Sequence, residues 1–585
     1  MDGESFFANL QEFNNKYMEA LQLISSKKLD FLSNPLIDMN NIQKAYLEAV
    51  TDFTNNPIKF FEHNLNYASK VANLMFHFMD KMSGDEVTPI YEAQKRDRRF
   101  KDEAWQNSLY FNFVKQFYLM SADWYRSLVK NLNVNDSQKK LLDFYTEQLL
   151  NAACPTNYAN LNPEVINELV VSNGKNLLQG VENFLNDIKQ SKDIFSISTV
   201  ASSSFEIGKN IAFTEGKILF QNDLMQLICY KPKEQTFEIP IFIIPPWINK
   251  YYILDLSENN SFIKFLVDSG FQVYLVSWVN PGKNLAHKNF EDYLKEGVLE
   301  PINFLRQNFG YKNFNLLGYC LGGTLAASAL AYYESIKDPV FTSSTFLTTL
   351  LDFSEPGDLG LFINGQTIEA IKEELDKTGF FDGRYMSYAF SLLRANELIW
   401  SFVINNYLLG KKPLAFDLLY WNSDTTNLPA AMHAFYLENM YINNALTKSN
   451  GIELLGKKID LSKVSVPSFF LSAIDDHIAP WESTYSGVKL FKDYMKNSVF
   501  CLAGSGHIAG VINSPHNKKY NYWINEDISG GSQEWYNGAR SFDGSWWNYW
   551  QNWAAGRSGE IQKSINYEEI GFIELSPGSY VRVRN

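Results

Sequence analysis

Gly318-Tyr-Cys-Leu-Gly-Gly-Thr324 holds the residue types of a covalent catalyst. A cysteine stands between glycines, after the short apolar run Phe314-Asn-Leu-Leu317 and before the small apolar run Leu325-Ala-Ala-Ser-Ala-Leu-Ala-Tyr332. This pattern predicts strand, tight turn and helix, the setting of a Gly-x-Ser-x-Gly nucleophile elbow with cysteine in the serine position. The nucleophile of an elbow takes a strained backbone, so the residues two before and two after must be small, and Gly318 and Gly322 meet that need. The positive end of the following helix favours a thiolate and offers N–H groups to an oxyanion. Two other readings compete. A phosphate-binding loop needs Gly-x4-Gly-Lys-Ser/Thr, and Thr324 has no lysine before it. A buried structural cysteine in a glycine-rich turn stands unless a base and an orienting acid follow at suitable places.

Both follow. Val464 to Ala473 predicts a strand that ends in Ile474-Asp475-Asp476-His477, and Ser498 to Leu502 predicts another that ends in Ala503-Gly-Ser-Gly-His507. Nucleophile, acid and histidine then occur in the order found in α/β-hydrolases. Taken singly, a strand-end aspartate caps a turn and a loop histidine is merely exposed; three in this order favour a triad. Asp475 and Asp476 both remain candidates for the acid. His507 is preferred over His477 as the base, because otherwise one loop would supply both acid and base. Cys229 and Cys501 fall inside strand-like runs and read as small core residues.

These residues need a sheet to bring them together. From about residue 200 strands alternate with helices: a strand within 237–247, another over Phe271 to Trp278, an amphipathic helix over Phe290 to Phe309, then the run into Cys320. That rhythm predicts a mostly parallel, doubly wound sheet, the α/β-hydrolase fold. Pro245-Pro-Trp-Ile-Asn249 follows a central strand at the height of the elbow, where such folds place a second oxyanion donor. Residues from about 355 to 445 lose the strand rhythm and read as an inserted helical lid or cap. Residues 1–200 read as a helical N-terminal domain and 201–585 as the catalytic domain. Apolar stripes run through Phe6, Phe7, Leu10, Phe13, Tyr17 and Leu21, and through Phe60, Phe61, Leu65, Ala68, Val71, Leu74 and Met75. Core packing is the preferred reading of both, a docking surface the alternative. The mixed-charge run Arg96 to Trp105 reads as a solvated helix start.

Composition narrows the function classes. With 585 residues the chain has room for two or more domains. A net charge of −13 argues against nucleic acid as the main partner. The four cysteines (Cys154, Cys229, Cys320, Cys501) show neither disulfide nor metal spacing, as expected of a reducing cytoplasm. Met-Asp-Gly-Glu-Ser has no basic n-region, so no secretory signal is expected. The most apolar stretch, 239–248, is broken by three prolines and falls short of the roughly 20 residues of a membrane span. The seven histidines are scattered, and no metal site is expected.

The motifs closely resemble those of the class I polyhydroxyalkanoate synthases. The resemblance extends from the elbow to Pro245-Pro-Trp-Ile-Asn-Lys-Tyr-Tyr-Ile-Leu-Asp-Leu256, Thr348-Thr-Leu-Leu-Asp-Phe353 and Phe416-Asp-Leu-Leu-Tyr-Trp-Asn-Ser-Asp424. It continues through Asp476-His-Ile-Ala-Pro-Trp481, Ser505-Gly-His-Ile-Ala-Gly-Val-Ile-Asn513 and Gly544-Ser-Trp-Trp547. It implies that Cys320 is the nucleophile, His507 the base and Asp476 the acid. It implies an oxyanion hole from the backbone amides of Leu321 and Ile248, a coenzyme A contact at Arg394 and a supporting role for His477. The implied activity joins (R)-3-hydroxyacyl groups, short ones such as 3-hydroxybutyryl, from coenzyme A thioesters into polyester. Coenzyme A is then part of the substrate and a product, and no cofactor is expected. The implied setting is a homodimer on cytoplasmic polyester granules, with the N-terminal region contacting the granule or its coat proteins. Ser514 stands where many relatives have proline. The competing functions are a cysteine-type α/β-hydrolase or thioesterase, and a non-catalytic coat of apolar inclusions.

Overall fold

A computed structural model describes residues 2–27, 34–84, 87–95, 97–191 and 197–584. The chain divides into two compact units, Met1–Ala201 with Phe390–Leu414, and Ser202–Ala389 with Ala415–Asn585.

The first unit is helical, with Gly3–Ser26, Met39–Asn55, Pro57–Met82, Leu109–Lys130, Asp136–Ala152, Pro163–Val171 and Lys175–Gln190 as its main helices. Polar caps set several starts: Ser108 accepts from the amide of Phe111, Asn135 from Gln138, and Asn162 from Glu164 ahead of Pro163. The run 97–105, expected as a solvated helix start, instead buries Phe100 and Trp105 against Tyr118 and Cys154. Arg99 closes that cluster, 2.8 Å from Asp97 and donating to the Tyr118 hydroxyl at 3.2 Å. A guanidinium held by both partners can cover the aromatic rings without an unpaired charge. Arg96 lies outside the described residues.

The two apolar stripes correct the preference for core packing. Leu74 is buried, but Phe7, Leu10, Tyr17, Leu21, Phe60, Phe61, Leu65 and Met75 are exposed. Pro57–Met82 packs on Leu109–Lys130 through Leu74, Phe78 and Met120, and its stripe is wider than that one partner covers.

Residues 390–414, expected within the insertion, pack in this helical unit. Asn396–Trp400 and Val403–Leu408 are π-helical turns rather than α-helix. Val403–Leu408 lies against Lys175–Gln190 at Gly180, where a Cβ would come within 1.9 Å of the Tyr407 carbonyl oxygen. Asn176 and Asn183 donate to the carbonyls of Leu408 and Asn406, and the Tyr407 hydroxyl donates to Asp187 at 2.6 Å.

The second unit is built on an eleven-stranded sheet. Its order is Arg540–Asp543, Asn521–Ile524, Ser498–Ala503, Ser468–Ala473, Phe341–Leu347, Phe314–Tyr319, Ile241–Ile244, Val273–Trp278, Met225–Tyr230, Gly216–Gln221 and Glu574–Leu575. The six strands from Ser498–Ala503 to Val273–Trp278 are parallel. Ile241–Ile244 and Phe314–Tyr319 are buried throughout, the continuous apolar pattern of strands covered on both faces. The register aligns their carboxyl ends: Ile244 pairs with Gly318, Tyr319 with Leu347, Leu347 with Leu471, and Ala473 with Ala503. Cys320, Asp476 and His507 all leave the sheet along this one edge.

The expected helix over 290–309 is interrupted. Lys295–Leu299 is a π turn between Phe290–Leu294 and Glu300–Phe309. Pro301 has no N–H to give to the carbonyl of Gly297, so the turn widens there. Gly297 sits under Trp278, whose ring a Cβ would approach within 2.3 Å. The predicted strand over 464–473 begins only at Ser468, after Pro467, which cannot donate to a ladder.

Candidate active site

Cys320 occupies the turn between Phe314–Tyr319 and the helix Leu321–Ile336. Its backbone has φ 52° and ψ −120°, a conformation that costs a non-glycine residue about 1–3 kcal/mol. Hydrogen bonds hold it there: its amide donates to Leu347 at 2.9 Å, and its carbonyl accepts from Gly323 at 2.9 Å and Thr324 at 3.3 Å. Both elbow glycines are sterically required. A Cβ on Gly318 would lie 2.5 Å from the Cα of Gly323, and one on Gly322 would lie 2.1 Å from the Ile244 carbonyl oxygen. The helix that follows buries Ala326, Ala327, Ala329 and Ala331, small residues that let its backbone lie close to the sheet.

Asp476 and His507 meet beside the elbow. His507 Nδ1 donates to Asp476 Oδ2 at 2.7 Å, and both side chains are buried. Asp476 Oδ1 accepts from the amides of Ile478 and Ala479, each at 2.9 Å, so the carboxylate is fixed from both sides. Cys320 lies near enough to the His507 ring to favour its charged form. Burial pulls the ring's pKa down, but Asp476 and Cys320 outweigh it, and the ring is raised to about 10. The ring therefore carries a proton at neutral pH, where an unperturbed histidine near 6.5 would be mostly neutral.

Asp475 is exposed, and its amide donates to the Ser505 carbonyl at 3.0 Å. His477 accepts through its backbone carbonyl from the amide of Asp358. Arg394 is half-buried and lies in the segment 390–414 of the helical unit. Cys229 and Cys501 are buried in strands, with thiols pushed up by burial, Cys229 to about 12.

The two amides expected to face an oxyanion, Leu321 and Ile248, have no hydrogen-bond acceptor among the described residues. Leu321 opens the nucleophile helix, where the first N–H groups have no intrahelical partner. Ile248 is half-buried in a loop whose other residues, 245–250, are buried.

Three features of the site were not read from sequence. The Tyr319 ring stacks on His507 with centroids 5.8 Å apart. Tyr436 reaches the first turn of the nucleophile helix, its hydroxyl 3.3 Å from Thr324 Oγ1, and its ring contacts Trp247, Phe290, Phe353 and Tyr441 at centroid distances of 6.1–6.2 Å. These rings set an apolar wall beside the elbow. Trp546 and Trp547 donate their indole N–H groups to the carbonyls of Gly510 and Val511, each at 2.9 Å, and so hold the loop that follows His507. The Gly544-Ser-Trp-Trp547 motif marked that pair without indicating its contact. Among the described residues no group of three His, Cys, Asp or Glu side chains is placed to hold a metal ion.

Strand order, elbow and the Asp–His pair at the sheet's carboxyl edge define an α/β-hydrolase with cysteine in the nucleophile position. The family model for the alpha/beta hydrolase fold matches residues 240–513, and that for the N-terminus of poly-beta-hydroxybutyrate polymerase (PhaC) matches 96–266. The poly(3-hydroxyalkanoate) polymerase subunit PhaC of Rhizobium meliloti (strain 1021) is 37% identical over 566 residues, covering 96% of this chain and 91% of that protein. The poly(3-hydroxyalkanoate) polymerase of Methylorubrum extorquens is 36% identical over 553 residues, covering 94% and 91%. Among solved structures, a monoacylglycerol lipase of Paleococcus ferrophilus is 15% identical, covers 47% of this chain and 89% of its own, and superposes with a TM-score of 0.28. The chain belongs to the poly(3-hydroxyalkanoate) polymerase family.

Proposed function

We propose that this protein polymerises (R)-3-hydroxyacyl groups from their coenzyme A thioesters into polyester, through an acyl thioester on Cys320. The observation that carries the reading is the 2.7 Å bond from His507 to Asp476 beside the strained turn of Cys320. Asp476 fixes the ring with Nδ1 turned towards it, leaving Nε2 for proton transfer with the sulfur. Cys320 Sγ attacks the thioester carbonyl, its proton having passed to Nε2. The oxyanion is met by the free amides of Leu321 and Ile248. The C–S bond to coenzyme A breaks, and Nε2 returns the proton to the departing sulfur. The 3-hydroxyl of another acyl unit then attacks the Cys320 thioester and gives its proton to Nε2. A C–O bond forms, the bond to Cys320 Sγ breaks, and the chain is one unit longer.

Cysteine suits this sequence. The first transfer exchanges one thioester for another, and the second converts a thioester into a more stable oxoester. Water competes with the hydroxyl for the acyl group, and the aromatic wall of Trp247, Phe290, Phe353, Tyr436 and Tyr441 is the device that restricts it. On the same reading the protein works as a homodimer at the surface of cytoplasmic polyester granules, short acyl groups are its substrates, and Arg394 and His477 assist coenzyme A binding. The exposed apolar residues of Pro57–Met82 suit contact with a polymer surface. Among the described residues no helix is long and apolar enough to cross a membrane.

Purified protein given (R)-3-hydroxybutyryl-coenzyme A tests the reading. A polymerase releases free thiol and turns the solution turbid. A thioesterase releases thiol and free acid without turbidity, and an inclusion coat releases nothing.

A further inference from the structure

The loop carrying Ile248 is tied down at every residue around it. The Trp247 carbonyl accepts from Thr426 Oγ1 at 2.5 Å. Asn249 has φ 66°, and its side-chain amide donates to the carbonyls of Trp421, Asn422 and Asp424 at 3.3–3.4 Å. The Lys250 carbonyl accepts from the Trp421 indole at 2.6 Å, and Lys250 Nζ donates to the Val583 carbonyl at 2.6 Å. Lys250 itself is only 2% exposed.

Two charges, Lys250 and Asp424, are buried behind this loop, and a third, Arg584, is exposed beside them. Asp424 accepts from the Tyr252 hydroxyl at 2.7 Å, and its Oδ2 lies 3.6 Å from Arg584 Nε. Its Oδ1 is buried with no hydrogen-bond partner among the described residues. The Arg584 guanidinium lies over Tyr420, 4.4 Å from the ring centroid. Burial pushes Lys250 down to about 8, with Asp424 opposing and Arg584 adding to the fall. Burial pushes the Asp424 carboxyl up, with Lys250 and Arg584 opposing. An ammonium and a carboxylate withdrawn from water are costly, and apolar residues of similar size would hold a loop as firmly. What this arrangement adds is direction: the hydrogen bonds to Lys250, Asn249 and Asp424 each require their own geometry, and together they fix the loop.

We infer that Lys250, Asp424 and Arg584 form a positioning latch, which aims the Ile248 amide at the developing oxyanion by pinning the loop 245–250 to residues 421–426 and to the backbone at Val583. The inference rests on the reading of Ile248 as an oxyanion donor in the polymerase. It explains why the Pro245 to Leu256 and Phe416 to Asp424 motifs, far apart in sequence, occur together. None of the three latch residues touches the reacting atoms; they act through the loop. An amide that helps only when the oxyanion forms contributes to turnover and not to substrate binding.

The test is thiol release from (R)-3-hydroxybutyryl-coenzyme A by the full chain, with rates normalised to titrated Cys320 thiol. Lys250→Met and Arg584→Met should each lower kcat, Lys250→Met by about tenfold or more, with KM changed by less than about twofold. Arg584→Met leaves the bonds of Lys250 to Val583 and Trp421 in place and so reports even if Lys250→Met folds poorly. The double variant should lose less than the product of the single losses, because both break one unit. Wild-type kcat in both single variants, losses confined to KM, or losses that simply multiply would overturn the latch. If the wild-type chain releases thiol and turns the solution turbid while the variants match it, the latch falls and the polymerase reading stands. If the wild-type chain itself releases no thiol, both fall.

Discussion

Gly322 lies directly against the carbonyl of Ile244, so close that a Cβ would come within 2.1 Å of the oxygen. Ile244 is the last residue of the strand that feeds the Ile248 loop, and Gly322 is the second residue of the nucleophile helix. The two proposed oxyanion donors thus sit on backbones whose separation is set at this one contact. Gly322→Ala should separate them. Backbone cannot yield as a flexible side chain does, so we expect kcat to fall by about 10²-fold or more, with a stability loss on the order of 2 kcal/mol. Steady-state kinetics and thermal unfolding of the variant check this; near-normal turnover would mean that the contact does not set the oxyanion geometry.

Asp476 holds the ring of His507, and Asp476→Asn keeps its size while removing its charge. An asparagine can present its N–H to Nδ1 and favour the wrong tautomer. The expected result is a fall in kcat of about 10²–10⁴-fold with little change in KM. Asp475→Asn, at an exposed position, should leave both parameters within about twofold. Parallel kinetics of the two variants decide between adjacent aspartates.

The raised pKa of His507 makes stability depend on pH. Its folded value, about 10, lies above the unfolded value near 6.5. The native state therefore binds more protons than the unfolded state between these values. The resulting stabilisation is present in full below about pH 6.5 and is lost as pH rises towards 10, at most about 5 kcal/mol in all. Lys250, pushed down to about 8, works in the opposite direction between there and its unfolded value near 10.4. Comparison of wild type with His507→Gln by chemical denaturation at pH 6.5 and pH 9 isolates the histidine. The wild type should lose more stability over that interval; equal losses would show that His507 is not held in its charged form.

Trp546 and Trp547 connect the 544–547 motif to the loop that follows His507. Trp546→Phe removes the indole N–H and leaves the Gly510 carbonyl, in a buried setting, without its donor. A cost of about 1–2 kcal/mol in stability and a several-fold loss of kcat are expected. Trp553→Phe is the control, because its indole N–H has no hydrogen-bond partner among the described residues to lose. Calorimetry and thiol-release kinetics on the pair separate loss of the hydrogen bond from loss of indole volume.

Much of the site was legible from local pattern. The elbow was readable because strand, glycine spacing and small-residue helix are consecutive, and each requirement is steric at one position: Gly318 against Gly323, Gly322 against Ile244. Local pattern left the acid open between Asp475 and Asp476, and only the family resemblance favoured Asp476; adjacent residues after a strand point opposite ways, and the tertiary turn decides that Asp476 is the one buried against His507. Lys250 and Asp424 lay in the family motifs but received no role, because the bonds that hold them, from Trp421 to the Lys250 carbonyl and from Tyr252 to the Asp424 carboxylate, are contacts across 171 and 172 positions that periodicity does not record. The same limit hid the place of 390–414, which joins the helical unit through Gly180 and Tyr407. The stripe on Pro57–Met82 has the helical period expected of a core face, but period reports amphipathicity and not what covers it.

The central claim is that the acyl group passes through Cys320, and mass spectrometry of the acyl-enzyme tests it most directly. Wild type, quenched in acid during turnover of (R)-3-hydroxybutyryl-coenzyme A, should yield the Cys320 peptide carrying one or more 3-hydroxybutyryl units. Cys320→Ala should carry none and release no thiol. Acyl groups found on another residue, or thiol release by Cys320→Ala at the wild-type rate, would contradict the account.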